Sequence, residues 1–182
     1  MESNTLEFWN YIAEEYQRRG DTRDNPFEYP IIAKHCLYSI LEFGPAYGML
    51  YKYLDEEIKK QYIGVEISPV MVEKSKKYNP DANVIVGDIL DSGFANGSFD
   101  TVIALQLLEH FSEDDMHKAL NEMRRISARR FIFSVPNRNM IPDGSHVLMF
   151  NYEKVYEMLK DWGNVTFLPC QTHHILVMQD HE

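Results

Sequence analysis

Apolar residues recur along the chain with two alternating periods. Leu6, Trp9, Ile12 and Tyr16 repeat at helical spacing behind Asn4 or Thr5 as a cap, and the pattern breaks at Gly20. A loop containing Asn25-Pro26 and Tyr29-Pro30 is expected next. Ser39 to Phe43 is a short apolar strand that stops at Gly44-Pro45, and Met49, Leu50, Tyr53 and Leu54 then resume helical spacing. Tyr62 to Ile67 reads as a second strand, followed by Ser68-Pro69 as N-cap and first position of a helix over Val70 to Tyr78. Asn83 to Val86 is a third strand, closed by Gly87-Asp88.

Phe99 to Leu105 is a buried strand by its unbroken apolar run, and Ser112-Glu113-Asp114-Asp115 opens a helix as a capping-box variant. Met116, Ala119, Leu120, Met123 and Ile126 form the stripe of that helix. Arg130 to Val135 is a fifth strand, Tyr152 to Trp162 an amphipathic helix, and Val165 to Leu168 and Ile175 to Met178 two late strands able to pair as an antiparallel edge. Strands alternating with helices need parallel neighbours and right-handed crossovers, hence a doubly wound α/β sandwich. Ligands of such sheets bind outside the carboxyl ends of the strands, so the turns after strands are where chemistry is expected.

With 182 residues, 45% hydrophobic and 25% charged, the chain is expected to form one domain over 1–182, with 1–30 as a helix and lid segment. Twenty-eight acids against eighteen Lys and Arg give a net charge of -10, which argues against a nucleic-acid partner. The densest basic patch, Arg124, Arg125, Arg129 and Arg130, interleaves with apolar residues and reads as a solvated face. Cys36 and Cys170 are too few for a disulfide framework, the N-terminus has no apolar leader, and no apolar run approaches ~18 residues. A soluble cytoplasmic protein with no membrane contact is expected.

The first strand-end turn, Glu42-Phe43-Gly44-Pro45-Ala46-Tyr47-Gly48, sets an acid inside a strand before a glycine turn. Its glycines allow close approach of a ligand, and a helix start there would offer unpaired N–H groups. A dinucleotide fingerprint fails at Ala46 and Met49, and no Gly-Lys-Ser or Gly-Lys-Thr makes a phosphate loop. Glu66 ends the second strand eighteen residues after Gly48, Asp88 follows the third, and Leu105-Gln106-Leu107-Leu108-Glu109-His110 follows the fourth. In this order and spacing the turns resemble the class I S-adenosylmethionine-dependent methyltransferases, in their small-molecule, ubiquinone-biosynthesis-like branch. Phe133-Ser134-Val135-Pro136-Asn137 and the N-terminal Phe8-Trp9-Asn10 and Tyr16 also resemble segments of that branch.

The resemblance implies a Rossmann-like fold with a seven-stranded, mostly parallel sheet and an antiparallel edge strand. It implies S-adenosylmethionine as cofactor, S-adenosylhomocysteine as product and a small-molecule methyl acceptor as partner. Glu42, Gly44, Pro45, Ala46 and Gly48 would form the glycine turn, and Glu66 and Ile67 would meet the ribose. Asp88 would accept from the adenine amino group while Ile89 packs on the ring, and Leu105 and Gln106 would lie along the methionine end. Tyr16, with Trp9, would cover the cofactor, although both read equally well as core residues. One departure is Ala46, where the family usually has glycine; a small backbone shift is expected to accommodate its methyl group.

His110 and His146 are the candidate general bases for a hydroxyl acceptor. His173 and His174 are adjacent and point to opposite faces if in a strand, and Glu109-His110 beside Asp114 or Asp115 has no spaced second His or Cys, so no metal is expected. Asn137 to Met149 and Asp21 to Tyr29 are the expected lids over the acceptor. Two other readings share the motifs: a non-catalytic binding or scaffold protein keeping the fold, and a methyltransferase of protein or RNA, against which the acidic charge counts.

Overall fold

The computed structural model describes residues 5–21, 24–137, 146–170 and 172–181. Helix α1 (Leu6–Arg19) begins where the Thr5 hydroxyl accepts from the Phe8 N–H and ends at Gly20, whose φ of 68° supplies the left-handed cap. Helix α2 (Tyr29–His35) replaces the loop expected from the two prolines. Pro30 lies in its first turn, where the missing N–H has no helical partner to lose, and the fully buried Ile32 anchors it.

Strand β1 (Ile40–Phe43) leads into the glycine turn, but a full α-helix does not follow. A 3₁₀ turn, Met49–Tyr53, and the one-turn helix α3 (Glu56–Lys59) take its place. The side-chain amide of Asn79 donates to the carbonyls of Tyr47 and Gly48 at 2.8 and 3.0 Å, engaging the acceptors that an α-helix opening there would use. Strand β2 (Tyr62–Glu66) and helix α4 (Pro69–Tyr78) follow the sequence reading, with Ser68 Oγ accepting from the Met71 N–H.

Strand β3 (Val84–Val86), strand β4 (Phe99–Leu105) and helix α5 (Glu113–Ile126) come next; Ser112 caps α5 by accepting from the Asp115 N–H. Strand β5 (Ser127–Pro136) precedes helix α6 (Tyr152–Leu159), which starts at Asn151 and stops short of Trp162. The chain closes with β6 (Asn164–Leu168) and β7 (His174–Asp180).

The seven strands form one sheet in the order β3-β2-β1-β4-β5-β7-β6. Strands β1 to β5 pair in parallel, and the antiparallel pairings gather at one end, where β7 lies between β5 and β6. The winding reverses between β1 and β4, the switch point at which open sheets bind ligands.

Apolar side chains cover both faces of the sheet, which is why β4 and β5 read as unbroken apolar runs. Val102, Ala104, Phe131 and Phe133 pack under α5 and α6, while Ile103 and Ile132 point to the opposite face with Ile32, Leu50 and Val72. The basic patch is engaged locally: Arg125 bonds Glu122 and Asn96, Arg129 faces Asp100, Arg130 pairs with Asp180, and Arg124 lies over the Trp162 ring. Among the described residues no helix is long and apolar enough to cross a membrane.

Asn79→Ala would leave two buried carbonyls without their donor. We expect it to lower the unfolding free energy by about 2 kcal/mol in urea titrations. A loss below roughly 0.5 kcal/mol would show that the Tyr47–Tyr53 segment does not depend on this bond.

Candidate active site

A cavity of about 550 Å³ opens at the carboxyl ends of β1 to β4. Its wall takes Gly44, Pro45 and Ala46 from the turn after β1, Glu66 and Ile67 from the end of β2, Asp88 and Ile89 after β3, and Leu105 and Gln106 after β4. Trp9 and Tyr16 of α1 line it from the other side, and Glu42, His110 and His146 complete the expected set. Gly48 alone of the fourteen sequence-derived positions is not in the lining. At φ 68° it closes the turn from behind, and a Cβ there would meet Val84 and Asn79.

The Glu66 carboxylate organises this wall. Its two oxygens accept from the Ala46 and Ser68 backbone N–H groups, each at 3.1 Å. Burial pushes the Glu66 carboxyl above its ordinary value, while those backbone bonds and one from Ile67 pull it back. Ala46 sits at φ 49°, a left-handed conformation that costs an L-residue about 1–2 kcal/mol. Gln106, at φ 50°, is the other described non-glycine residue in this region; its N–H donates to the Ser134 carbonyl and its side chain to the Ser134 hydroxyl. Both strained residues lie on the cavity wall.

Glu42 is buried at the cavity floor, where Tyr62 donates to its Oε2 at 2.6 Å. Burial pushes its carboxyl up to about 7; the Tyr62 bond opposes this and the nearby Glu66 charge adds to it. Asp88 accepts from the Leu90 N–H through one oxygen, Oδ1, at 2.9 Å.

Two side-chain contacts in the cavity, one at Glu28 and one between Glu109-His110 and His146, escaped the sequence reading. Glu28, before α2, is buried and accepts from Thr172 and from Cys170, and its Oε1 lies 2.5 Å from His174 Nδ1. Burial raises the Glu28 carboxyl, but the bonds from His174 and Thr172 outweigh it and hold it below the ordinary value. Sequence spacing separates Glu28 from His174 by 146 positions and carried no signal of the pair. The second centres on Glu109, fully buried, with His110 Nε2 and His146 Nε2 each 4.0 Å from its Oε1.

His146 is thereby the third member that Glu109-His110 lacked in the linear pattern. The Glu109 carbonyl accepts from the Val147 and Leu148 N–H groups, which holds the strip after His146 against the turn carrying Glu109 and His110. Trp9 packs edge-on to His110 at 4.8 Å, joining α1 to this end of the cavity. Asp115 also lines the cavity and Asp114 does not. Of the expected acceptor lid, residues 138–145 lie outside the described residues, as do 22 and 23 of the N-terminal one.

Among the described residues the lining holds eight carboxylates, those of Asp21, Asp24, Glu28, Glu42, Glu66, Asp88, Glu109 and Asp115, and no Lys or Arg. Such a cleft attracts cations and repels phosphates and other anions.

A family profile described as "Methyltransferase domain" matches residues 41–130. "Probable tocopherol O-methyltransferase, chloroplastic" from Oryza sativa subsp. japonica is 27% identical over 113 residues, covering 57% of this chain and 31% of that protein. The chain thus spans about a third of the length of that curated relative. The fold is shared with magnesium protoporphyrin IX methyltransferase from Synechocystis PCC 6803 with bound SAH, at a TM-score of 0.70 and 15% identity over 97% of this chain and 98% of that one. It is shared equally with a SAM-dependent methyltransferase, possible histamine N-methyltransferase, from Thermotoga maritima, at a TM-score of 0.72 and 17% identity over 98% and 100% of the two chains.

Glu42 gives the site a pH signature. The native protein holds its proton more tightly than the unfolded chain, so its contribution to stability falls as pH rises from 4.5 to about 7. Glu42→Gln keeps an oxygen for Tyr62 and removes the ionisable group. The unliganded variant should exceed the parent in stability by roughly 2–3 kcal/mol near pH 8 and match it near pH 4. Thermal unfolding at the two pH values checks this, and a difference that does not change with pH would contradict it.

Proposed function

We propose that this chain, which belongs to the class I S-adenosylmethionine-dependent methyltransferases, binds that cofactor in the acid-lined cavity and methylates a small molecule there. The observation that carries the reading is the set of eight carboxylates facing one cavity without a Lys or Arg among the described lining residues. The cofactor's sulfonium and ammonium groups are cations and match that field. A phosphate-rich acceptor does not, and Arg124, Arg125, Arg129 and Arg130 outside the cavity are already engaged by neighbours, which disfavours RNA.

The residues present fit the cofactor. A carboxylate offers about four lone-pair positions; the backbone N–H groups of Ala46, Ser68 and Ile67 engage Glu66, and the position left over can accept from a ribose hydroxyl. Asp88 has a second oxygen to accept from the adenine amino group, beside the buried Ile89. Gly44, Pro45 and Ala46 form the turn against the methionine part, where Glu42 can meet the ammonium group, and Leu105 and Gln106 lie alongside. We place Tyr16 and Trp9 of α1 over the bound molecule.

When bound, the cofactor supplies an activated methyl group: the acceptor atom bonds to the methyl carbon as the carbon–sulfur bond breaks, and the sulfur keeps the electron pair as S-adenosylhomocysteine. The protein's share is alignment and exclusion of water, for which α1 and its ring contact with His110 form a cover. His110 and His146, at the acceptor end, are placed to take a proton from a hydroxyl acceptor. A cytoplasmic, reducing setting belongs to the same proposal and is supported by two free thiols, Cys36 and Cys170.

Isothermal titration with S-adenosylmethionine and S-adenosylhomocysteine tests the reading. Both should bind with one site per chain, and Glu66→Ala and Asp88→Ala should each weaken binding by about tenfold to a hundredfold, the worth of a charged hydrogen bond. Absence of binding by either compound to the folded parent would overturn it.

A further inference from the structure

We propose that Glu109, His110 and His146 bind a divalent cation of the zinc or cobalt class at the acceptor end of the cavity. Each residue offers one ligand atom, and the three atoms lie within 4.8 Å of one another. Ligands around such an ion stand about 3–3.5 Å apart, given bonds of about 2.0–2.2 Å, so side-chain rotations of about 1 Å complete the set. The backbone is already arranged for it. Glu109 and His110 are neighbours in the tight 3₁₀ turn Leu108–His110, and the two N–H bonds to the Glu109 carbonyl fix the strip that carries His146.

Three features choose the ion and its use. Two imidazoles with one carboxylate suit borderline cations, whereas magnesium prefers an all-oxygen shell. Three protein ligands leave further positions open, as in catalytic rather than structural sites, and all three residues line the cavity. The remaining seven carboxylates of that lining make the space favourable for a dication, and Asp115 is among them.

A bound ion would change how the acceptor is activated, a consequence that rests on the methyltransferase reading. An acceptor hydroxyl on an open position would lose its proton to solvent near neutral pH, with the two histidines serving as ligands instead of bases. The acceptor class is then a hydroxylated small molecule that presents an oxygen to the metal, in preference to an amine.

Titration of the full chain with cobalt(II), followed by visible absorption, and with zinc(II) by calorimetry tests the site without any turnover. One equivalent should bind, with d–d bands of a low-symmetry nitrogen and oxygen site. His146→Ala and Glu109→Gln should each weaken binding at least tenfold, while His117→Ala, outside the cavity, should not. His146 lies in a connection and not in the core, so its variant remains informative if Glu109→Gln fails to fold. Absence of metal binding, or binding indifferent to His146→Ala, would overturn the proposal. A chain that binds S-adenosylmethionine but no metal would leave the proposed function standing with the histidines as bases, and the reverse result would remove that function and keep the metal site.

Discussion

The carboxylate of Glu66 is the contact on which the rest of the site depends. Standing at the end of β2, it accepts from Ala46 in the turn after β1 and from Ser68 at the head of α4. Ser68 passes the connection on: its hydroxyl caps the Met71 N–H and donates to Asn10 Oδ1 of α1 at 2.6 Å. The helix that closes the cavity is thus tied to the strand end that would hold the ribose. Lys74 of α4 and Tyr47 of the turn reinforce this by donating to the Ala13 carbonyl at 2.7 and 3.1 Å. A buried carboxylate is expensive unless its oxygens are satisfied, and here the backbone of the site supplies the donors.

The same constraint explains where stability is given up. Glu42 is buried with its carboxyl raised to about 7, Ala46 and Gln106 hold left-handed backbones, and acids collect around one cavity without a compensating Lys or Arg among the described lining residues. The parallel pairings run through the backbone of Glu42 and Glu66 but do not call for an acidic side chain at either position. Like charge gathered at the carboxyl ends of strands favours a cationic ligand, and strained residues cluster at functional sites. The proposed metal site would extend the logic to the far end of the cavity, where Glu109 and two imidazoles converge in the same field.

Much of this was legible in the linear pattern, for definite reasons. The Ser68-Pro69 and Ser112 caps, the Gly20 stop and the strands β1 to β5 follow from local chemistry that tertiary structure did not override. Strand-end turns gather at one edge of a parallel sheet by topology alone, so Glu42, Glu66, Asp88 and Leu105 share a cavity once β1 to β4 are placed. What stayed hidden was non-local. Helix α2 needed the buried Ile32 to decide in its favour, and the shortened helix after β1 depends on Asn79, about thirty residues away. The contact of Glu28 with His174, and that of His146 with Glu109-His110, join residues whose spacing has no periodic signature.

A crystal structure of the chain with S-adenosylhomocysteine tests the central claim most directly, because it locates each part of the ligand against a named carboxylate. The ribose hydroxyls should lie within hydrogen-bond distance of Glu66, the adenine amino group should face Asp88, and the sulfur should point toward His110 and His146. A nucleoside bound in the opposite direction, or bound outside the cavity with Glu66 still engaged only by backbone N–H groups, would contradict the account.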